Sequence, residues 1–211
     1  MALSERLRTL RAHYRDHQSI WDIGCDHGLL GLSFLDLPIP PQIHLVDPSA
    51  KVIDTLTSHI NSYITKNKDF LSIHRTRGQD IQLNPVKKLI FIAGMGGKEI
   101  LDIYQHLLPS LSSIDDLVVS PHRDILSLRL KLHHSSFFLD RETLVFEDGQ
   151  YYQILSLSLR DGFKVHPFGE EIFHGRTGEE YRQHQLRTFT AHKNDRSQAY
   201  VQYLQILTPR M

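Results

Sequence analysis

Apolar segments of strand length alternate with stretches of helical periodicity along most of this chain, and that alternation admits an α/β sheet and little else. Leu3, Leu7, Leu10 and Tyr14 recur at 4-3-4 spacing, one stripe of a short helix. Residues 19–23 read as a first strand, followed by a Gly-containing turn and an apolar helix to about Leu37, which Pro38, Pro40 and Pro41 stop. Residues 43–46 are a second strand ending in Asp47, and Pro48 suits the first turn of a helix carrying Val52, Ile53, Leu56 and Ile60. Residues 71–74 and 89–93 follow as third and fourth strands, the fourth apolar enough for burial on both faces. Gly94-Met95-Gly96-Gly97 turns into a helix with Ile100, Ile103, Leu107 and Leu108. Residues 117–120 make a fifth strand, closed by Pro121 and followed by a helix with Ile125, Leu128 and Leu132. Two strand-like runs, from Phe137 to Phe146 and from Tyr151 to Leu159, then flank Glu147-Asp148-Gly149-Gln150, where Asp-Gly signals a hairpin.

Beyond Asp161-Gly162 the apolar strands cease. Thr177-Gly178-Glu179-Glu180 has capping-box spacing and should start a helix, Asn194 can cap a second, and Val201, Leu204 and Leu207 give it a modest apolar stripe. The expected organisation is a sheet domain over residues 1–162 and a helical appendage over residues 163–211.

Composition narrows the classes. With 211 residues and 40% of them apolar, the chain can bury a core, so wholesale disorder is excluded. No apolar run reaches the roughly 20 residues that span a bilayer, and the amino terminus lacks a signal core, so a cytoplasmic protein without a membrane partner is expected. One cysteine, Cys25, excludes an internal disulfide and a cysteine metal cluster. Fourteen histidines are scattered, none forming a His-x-x-x-His pair beside a carboxylate, and no metal is expected. Lys+Arg and Asp+Glu both count 24, which removes the easiest argument for a nucleic-acid partner.

Chemistry concentrates at strand ends. The first strand closes with Asp22-Ile23-Gly24-Cys25-Asp26-His27-Gly28, in which Asp26 takes the place of the middle glycine of a dinucleotide fingerprint. A carboxylate there repels pyrophosphate and suits a cationic ligand without phosphate. Asp47 ends the second strand, where an acidic residue can accept both ribose hydroxyls. A nucleoside with a positive centre and no phosphate describes S-adenosylmethionine. Taken singly, Asp22 could instead cap a turn, and Asp47-Pro48 could be a plain helix start. Asp80, in Gly78-Gln79-Asp80 after the third strand, can accept the adenine amino hydrogens or belong to a polar loop. Ala93-Gly94-Met95-Gly96-Gly97 leaves little bulk beside a methyl group, more glycine than a tight turn needs. The candidate donor-binding residues are thus Asp22, Gly24, Cys25, Asp26, His27, Asp47, Gln79, Asp80, Ala93, Gly94, Met95 and Gly96. Ser120, Pro121, His122 and Arg123 end the neighbouring strand and, with Met95, are the candidate acceptor-binding residues. His122 is the one candidate catalytic group, able to hydrogen-bond a base; its alternative role is to cap the helix beginning near Asp124.

Leu3-Ser4-x-Arg6-Leu7, Asp22-Ile23-Gly24-x-Asp26-His27, Ala93-Gly-Met-Gly-Gly97 and Glu147-Asp-Gly-Gln-Tyr-Tyr152 resemble the bacterial tRNA (adenine-N1)-methyltransferase family called TrmK, which modifies adenine 22. The resemblance runs from Leu3 to about Leu159. It implies a class I Rossmann-like methyltransferase fold, S-adenosylmethionine as donor, and a C-terminal helical unit that helps hold tRNA. Two segments depart from the family. Gly28-Leu29-Leu30-Gly31 stands where an aromatic residue and a proline are usual, and Ser120-Pro121-His122 where Gln-Pro-Asn is usual. In the tail from Phe163, Lys and Arg barely outnumber Asp and Glu, while Lys66, Lys68, Arg75 and Arg77, and Arg123, Arg129 and Lys131, make two basic stretches.

Exclusions sharpen the reaction. Cys25 lies in the donor turn, away from any acceptor, so covalent pyrimidine-carbon methylation is unexpected. No (Asn/Asp)-Pro-Pro-aromatic run follows the fourth strand, which argues against exocyclic amines. Adenine N1 offers an in-plane lone pair and needs alignment, not deprotonation, so a site without a general base suits it. A methyltransferase acting on a small molecule or another RNA, and a non-catalytic nucleoside- or RNA-binding relative, are the alternatives. The sequence leaves the oligomeric state open.

Overall fold

A computed structural model describes residues 3–64, 66–160, 162–190 and 195–207. Its centre is a seven-stranded sheet of β1 (Ser19–Ile23), β2 (Gln42–Val46), β3 (Leu71–His74), β4 (Lys88–Ala93), β5 (Asp116–Ser120), β6 (Phe138–Glu147) and β7 (Gln150–Ser158) in the order β3-β2-β1-β4-β5-β7-β6. The first five strands are parallel; β7 runs antiparallel to β5, and β6 antiparallel to β7. The chain leaves β1 first toward one edge and then, from β4, toward the other. The switch point where open sheets bind ligands therefore lies between β1 and β4. At the hairpin tip Asp148 and Gly149 have φ of 49° and 76°, the left-handed pair that a two-residue turn between twisted strands requires.

Alternation along each strand divides the core. Trp21, Ile23, Ile90 and Ile92 point to the face covered by α4 (Gly97–Leu107) and α5 (Ile125–His133). Ile20, Ile43, Leu45, Leu89 and Phe91 point to the face covered by α1 (Glu5–Arg11), α2 (Leu29–Leu32) and α3 (Ala50–Tyr63). Asp22 shares the second face, and that decides its partner. The helix expected to run to Leu37 is broken: α2 gives way to a 3₁₀ segment, Ser33–Asp36. Pro48 lies outside α3, whose N-cap is Ser49 with its hydroxyl accepting from the Val52 N–H.

The last elements are α6 (Gly175–Thr190) and α7 (Asp195–Ile206), with a small core of Ile172, Phe173, Tyr181, Tyr200 and Leu204. Helix α6 begins before the expected capping box, so Thr177 falls inside its first turn. Gly178 packs against the Phe173 carbonyl with no room for a side chain, which holds the helix start over the Glu171–Phe173 3₁₀ turn. The cap expected at Asn194 lies outside the described residues.

Arg129, which the sequence groups with Arg123 and Lys131 as basic surface, is fully buried. Its guanidinium pairs with Glu142 and donates to Gln153 Oε1 at 2.7 Å and to the His166 carbonyl at 3.0 Å. Glu142 also accepts the Glu170 N–H at 2.7 Å, and Gln153 Nε2 donates to the Tyr181 hydroxyl at 2.8 Å. One polar network thus ties α5, β6, β7 and α6 together. No helix among the described residues is long and apolar enough to cross a membrane.

Removing one partner of such a pair strands the other charge in a dry interior. Arg129→Ala should lower the unfolding free energy by about 3–5 kcal/mol, read from urea denaturation. The Arg129→Met, Glu142→Leu double variant should lose less. An unchanged urea midpoint in Arg129→Ala would show that the network does not support the fold.

Candidate active site

Parallel register sets the carboxyl ends of the central strands level: Ile23 pairs with Val46 on one side and Ile92 on the other, and Ala93 pairs with Ser120. The loops that leave these strands share one rim. The turn after β1 is stitched to the end of β2 by the Gly24 and Cys25 N–H groups donating to the Val46 carbonyl at 2.8 and 3.1 Å. Gly24 has φ of 74°, the left-handed region that favours glycine, and a Cβ there would lie 2.6 Å from Met95 Cε and would have to displace that methyl.

Asp22 points from β1 into this rim. It is 5% exposed, and its carboxylate accepts the Gly31 N–H at 2.9 Å. A side chain at Gly31 would collide with Leu45, which explains glycine in a segment otherwise apolar. One neutral donor does not offset burial of a charge, and burial raises the Asp22 pKa to about 6. Cys25 is buried and free of disulfide; burial, Asp22 and Asp47 push its thiol pKa far up, so it is a neutral, poor nucleophile. Asp47 is half-buried beyond the end of β2, with Oδ1 accepting the Ser49 N–H at 2.8 Å.

The loops after β4 and β5 are sewn together. The Ser120 carbonyl accepts from Gly94 N–H at 3.2 Å, Met95 carbonyl from His122 N–H at 2.9 Å, and Arg123 carbonyl from Gly97 N–H at 3.0 Å. Above them Arg6, from α1, donates through Nε to Ser120 Oγ at 3.4 Å and through Nη2 to the Ser120 carbonyl at 3.3 Å. Its Nη1 is 3.0 Å from His122 Nε2. Arginine only donates, so Nε2 accepts and the His122 ring proton sits on Nδ1. The Arg6 guanidinium also lies 4.5 Å from the centre of the Tyr152 ring, and its backbone N–H donates to Glu147 at 3.2 Å. Burial, Arg6 and Arg123 lower the His122 pKa, which keeps the ring neutral.

A cleft of about 230 Å³ results, and Asp22, Gly24, Cys25, Asp26, His27, Ala93, Gly94 and His122 all line it. Other predicted residues stand apart from its lining. Met95 roofs Gly24, and Gly96 packs against the Arg123 side chain. Gln79 donates to Asp102 at 2.6 Å, and Asp80 takes Arg77 through both oxygens at 2.8 and 3.1 Å. His122 does not cap α5, whose N-cap is Asp124. Arg6, Leu7, Leu29 and Leu30 line the cleft without having been proposed as site residues; Arg6 and Leu7 belong to the Leu3–Leu7 motif, the one signal that could have found them. Among the described residues no group of three or more His, Cys, Asp or Glu could hold a metal ion.

A family model described as a methyltransferase domain matches residues 3–155. No curated protein matches the chain. Solved structures do. A Streptococcus pneumoniae protein in complex with S-adenosyl-L-methionine superposes with a TM-score of 0.82 at 19% identity, over 97% of this chain and 98% of that one. The Bacillus subtilis m1A22 tRNA methyltransferase TrmK gives 0.70 at 20% identity, over 97% and 94%. Mycoplasma TrmK (M. capricolum), in complex with S-adenosyl-homocysteine, gives 0.73 at 17% identity, again over 97% and 94%. At these identities the likeness is one of fold.

The raised Asp22 pKa has a consequence for stability. Between its ordinary value near 3.8 and about 6 the unfolded chain ionises Asp22 while the folded protein keeps it protonated. The ligand-free protein should therefore lose about 3 kcal/mol of stability from this group as pH rises through that window. Asp22→Asn should remove this contribution while keeping an acceptor for Gly31. Parallel pH–stability curves for the two proteins, from urea titrations, would show that Asp22 is not the source.

Proposed function

This chain belongs to the methyltransferase domain family, and on that premise we propose that it methylates N1 of an adenine in tRNA with S-adenosylmethionine as donor. The observation that carries the reading is a buried carboxylate, Asp22, opening on a cleft whose far wall is neutral His122. The donor residues fit a cationic ligand, because a positive group beside Asp22 offsets the desolvation that raises its pKa. When bound, S-adenosylmethionine supplies a methyl group on a positively charged sulfur. The cleft of about 230 Å³ is smaller than a pocket for a whole nucleoside ligand, roughly 300–1,000 Å³, so it takes the methionine end. Asp47, beyond the end of β2, would hold the ribose. Asp80 must release Arg77 to meet the adenine ring, an exposed pair that is cheap to break.

On the acceptor side, Arg6 holds the His122 ring by Nε2, leaving Nδ1–H to donate to the incoming base. Tyr152 buttresses both, its ring 5.5 Å from that of His122. Gly94, with no side chain, would leave room beside His122 for the methyl group and its acceptor. No group need remove a proton, since adenine N1 attacks with a lone pair already in the ring plane. Residues 163–211 serve this reading as a helical unit for the body of the tRNA, and the protein is cytoplasmic. Net charge zero favours a second reading, a smaller acceptor on the same fold.

Incubation with labelled donor and tRNA from a strain lacking the gene, followed by nucleoside mapping, should yield N1-methyladenosine. Label in small molecules alone would support the second reading, and donor binding without transfer would mean a non-catalytic relative. Asp47→Ala should weaken donor binding by about 1–3 kcal/mol in calorimetry; unchanged affinity would remove Asp47 from the site. His122→Ala should lower turnover at least about tenfold while donor affinity stays within about twofold. Equal loss of both would make His122 structural.

A further inference from the structure

A second cleft, of about 410 Å³, opens on the other side of His122, between the loop after β5, the β6–β7 hairpin and α6. We infer that it receives the base of an unpaired nucleotide next to the methyl acceptor in the RNA chain. The inference deepens the proposed tRNA reaction and rests on it for the identity of the neighbouring base.

The cleft is aromatic and its walls are fixed. The Tyr151 ring packs against Phe146 at 4.6 Å, Tyr181 at 5.0 Å and His184 at 5.5 Å between centroids. Tyr181 is 3% exposed, and its hydroxyl accepts from Gln153, whose other amide atom is held by Arg129. The aromatic floor is thus anchored in the buried network and is rigid before any ligand arrives. A flat ring stacking on such a floor loses little to reorganisation of the protein.

The polar groups suit one base and one phosphate. Gln150 and Gln185 supply amides that both donate and accept, as base edges require. Among the described residues Arg123 is the one Lys or Arg on the lining, with its side chain 79% exposed and its ion contact to Asp124 as long as 3.9 Å. A duplex backbone calls for many cations; a single splayed nucleotide calls for one. His122 lines both clefts, so the base held here and the methyl acceptor beside the donor cleft lie on either side of one side chain. The acceptor adenine and its neighbour must then leave the stack together. This gives the enzyme a preference for adenines in loops and bulges.

A short unstructured RNA, five nucleotides with a central adenine flanked by 2-aminopurine, tests the cleft directly. Stacking on the aromatic floor should quench the 2-aminopurine fluorescence saturably. His184→Ala, on an exposed helix face, and Tyr151→Leu should each weaken that binding by about tenfold, and Arg123→Gln should weaken it with a shallower salt dependence. Unquenched fluorescence with the wild-type protein, or equal affinity in wild type and His184→Ala, overturns the inference whether or not tRNA is methylated. Quenching that His184→Ala weakens, in a protein that methylates no tRNA, would uphold the cleft while the proposed reaction fails.

Discussion

Level parallel pairing across β2, β1, β4 and β5 is the constraint from which the site follows. Because Ile23, Val46, Ile92 and Val119 end on one line, four loops from distant parts of the sequence reach one rim without any of them being long. The rim's backbone then bonds to itself: Gly24 to Val46, Gly94 to Ser120, His122 to Met95. A slip of one residue in β4 would turn Phe91 and Ile92 to the wrong faces and break those bonds as well, so core packing and site geometry specify the same register.

The Arg129–Glu142 pair does for the carboxyl-terminal third what register does for the sheet. Neither charge reaches water, and the groups that partner them come from β7 and from the segment between His166 and Ile172. Such a network is exacting about geometry because an unpaired member is costly in a dry interior. It therefore fixes the angle at which α6 leaves the sheet, and with it the distance between α6 and His122.

Much of this was legible in the sequence because it is periodic or local. Strand-length apolar runs located all seven strands to within a residue, and β1 and β3 at both ends. The turn glycines located the rim, and Asp22 and Asp26 both line the cleft there. What escaped is long-range. Nothing local distinguishes Arg129 from Lys131 two positions on, yet one is fully buried and the other is exposed. Arg77 read as part of a basic stretch, but in the fold it is spoken for by Asp80. The start of α6 was misread because a capping-box spacing is a local signal, overruled here by the close packing of Gly178 on Phe173.

Arg6 meets Glu147 across 141 positions of chain, and Ser120 and His122 across 114 and 116. Closing a loop of that length is entropically expensive and is repaid only when the sheet between is already in place. The rim is therefore among the last parts of the molecule to be completed. On the ribosome, α1 emerges before the hairpin and waits for Glu147, 141 positions on, before its contacts are complete. A nascent or truncated chain holds a sheet but no closed reaction site, and methyl transfer becomes a property of the finished protein alone.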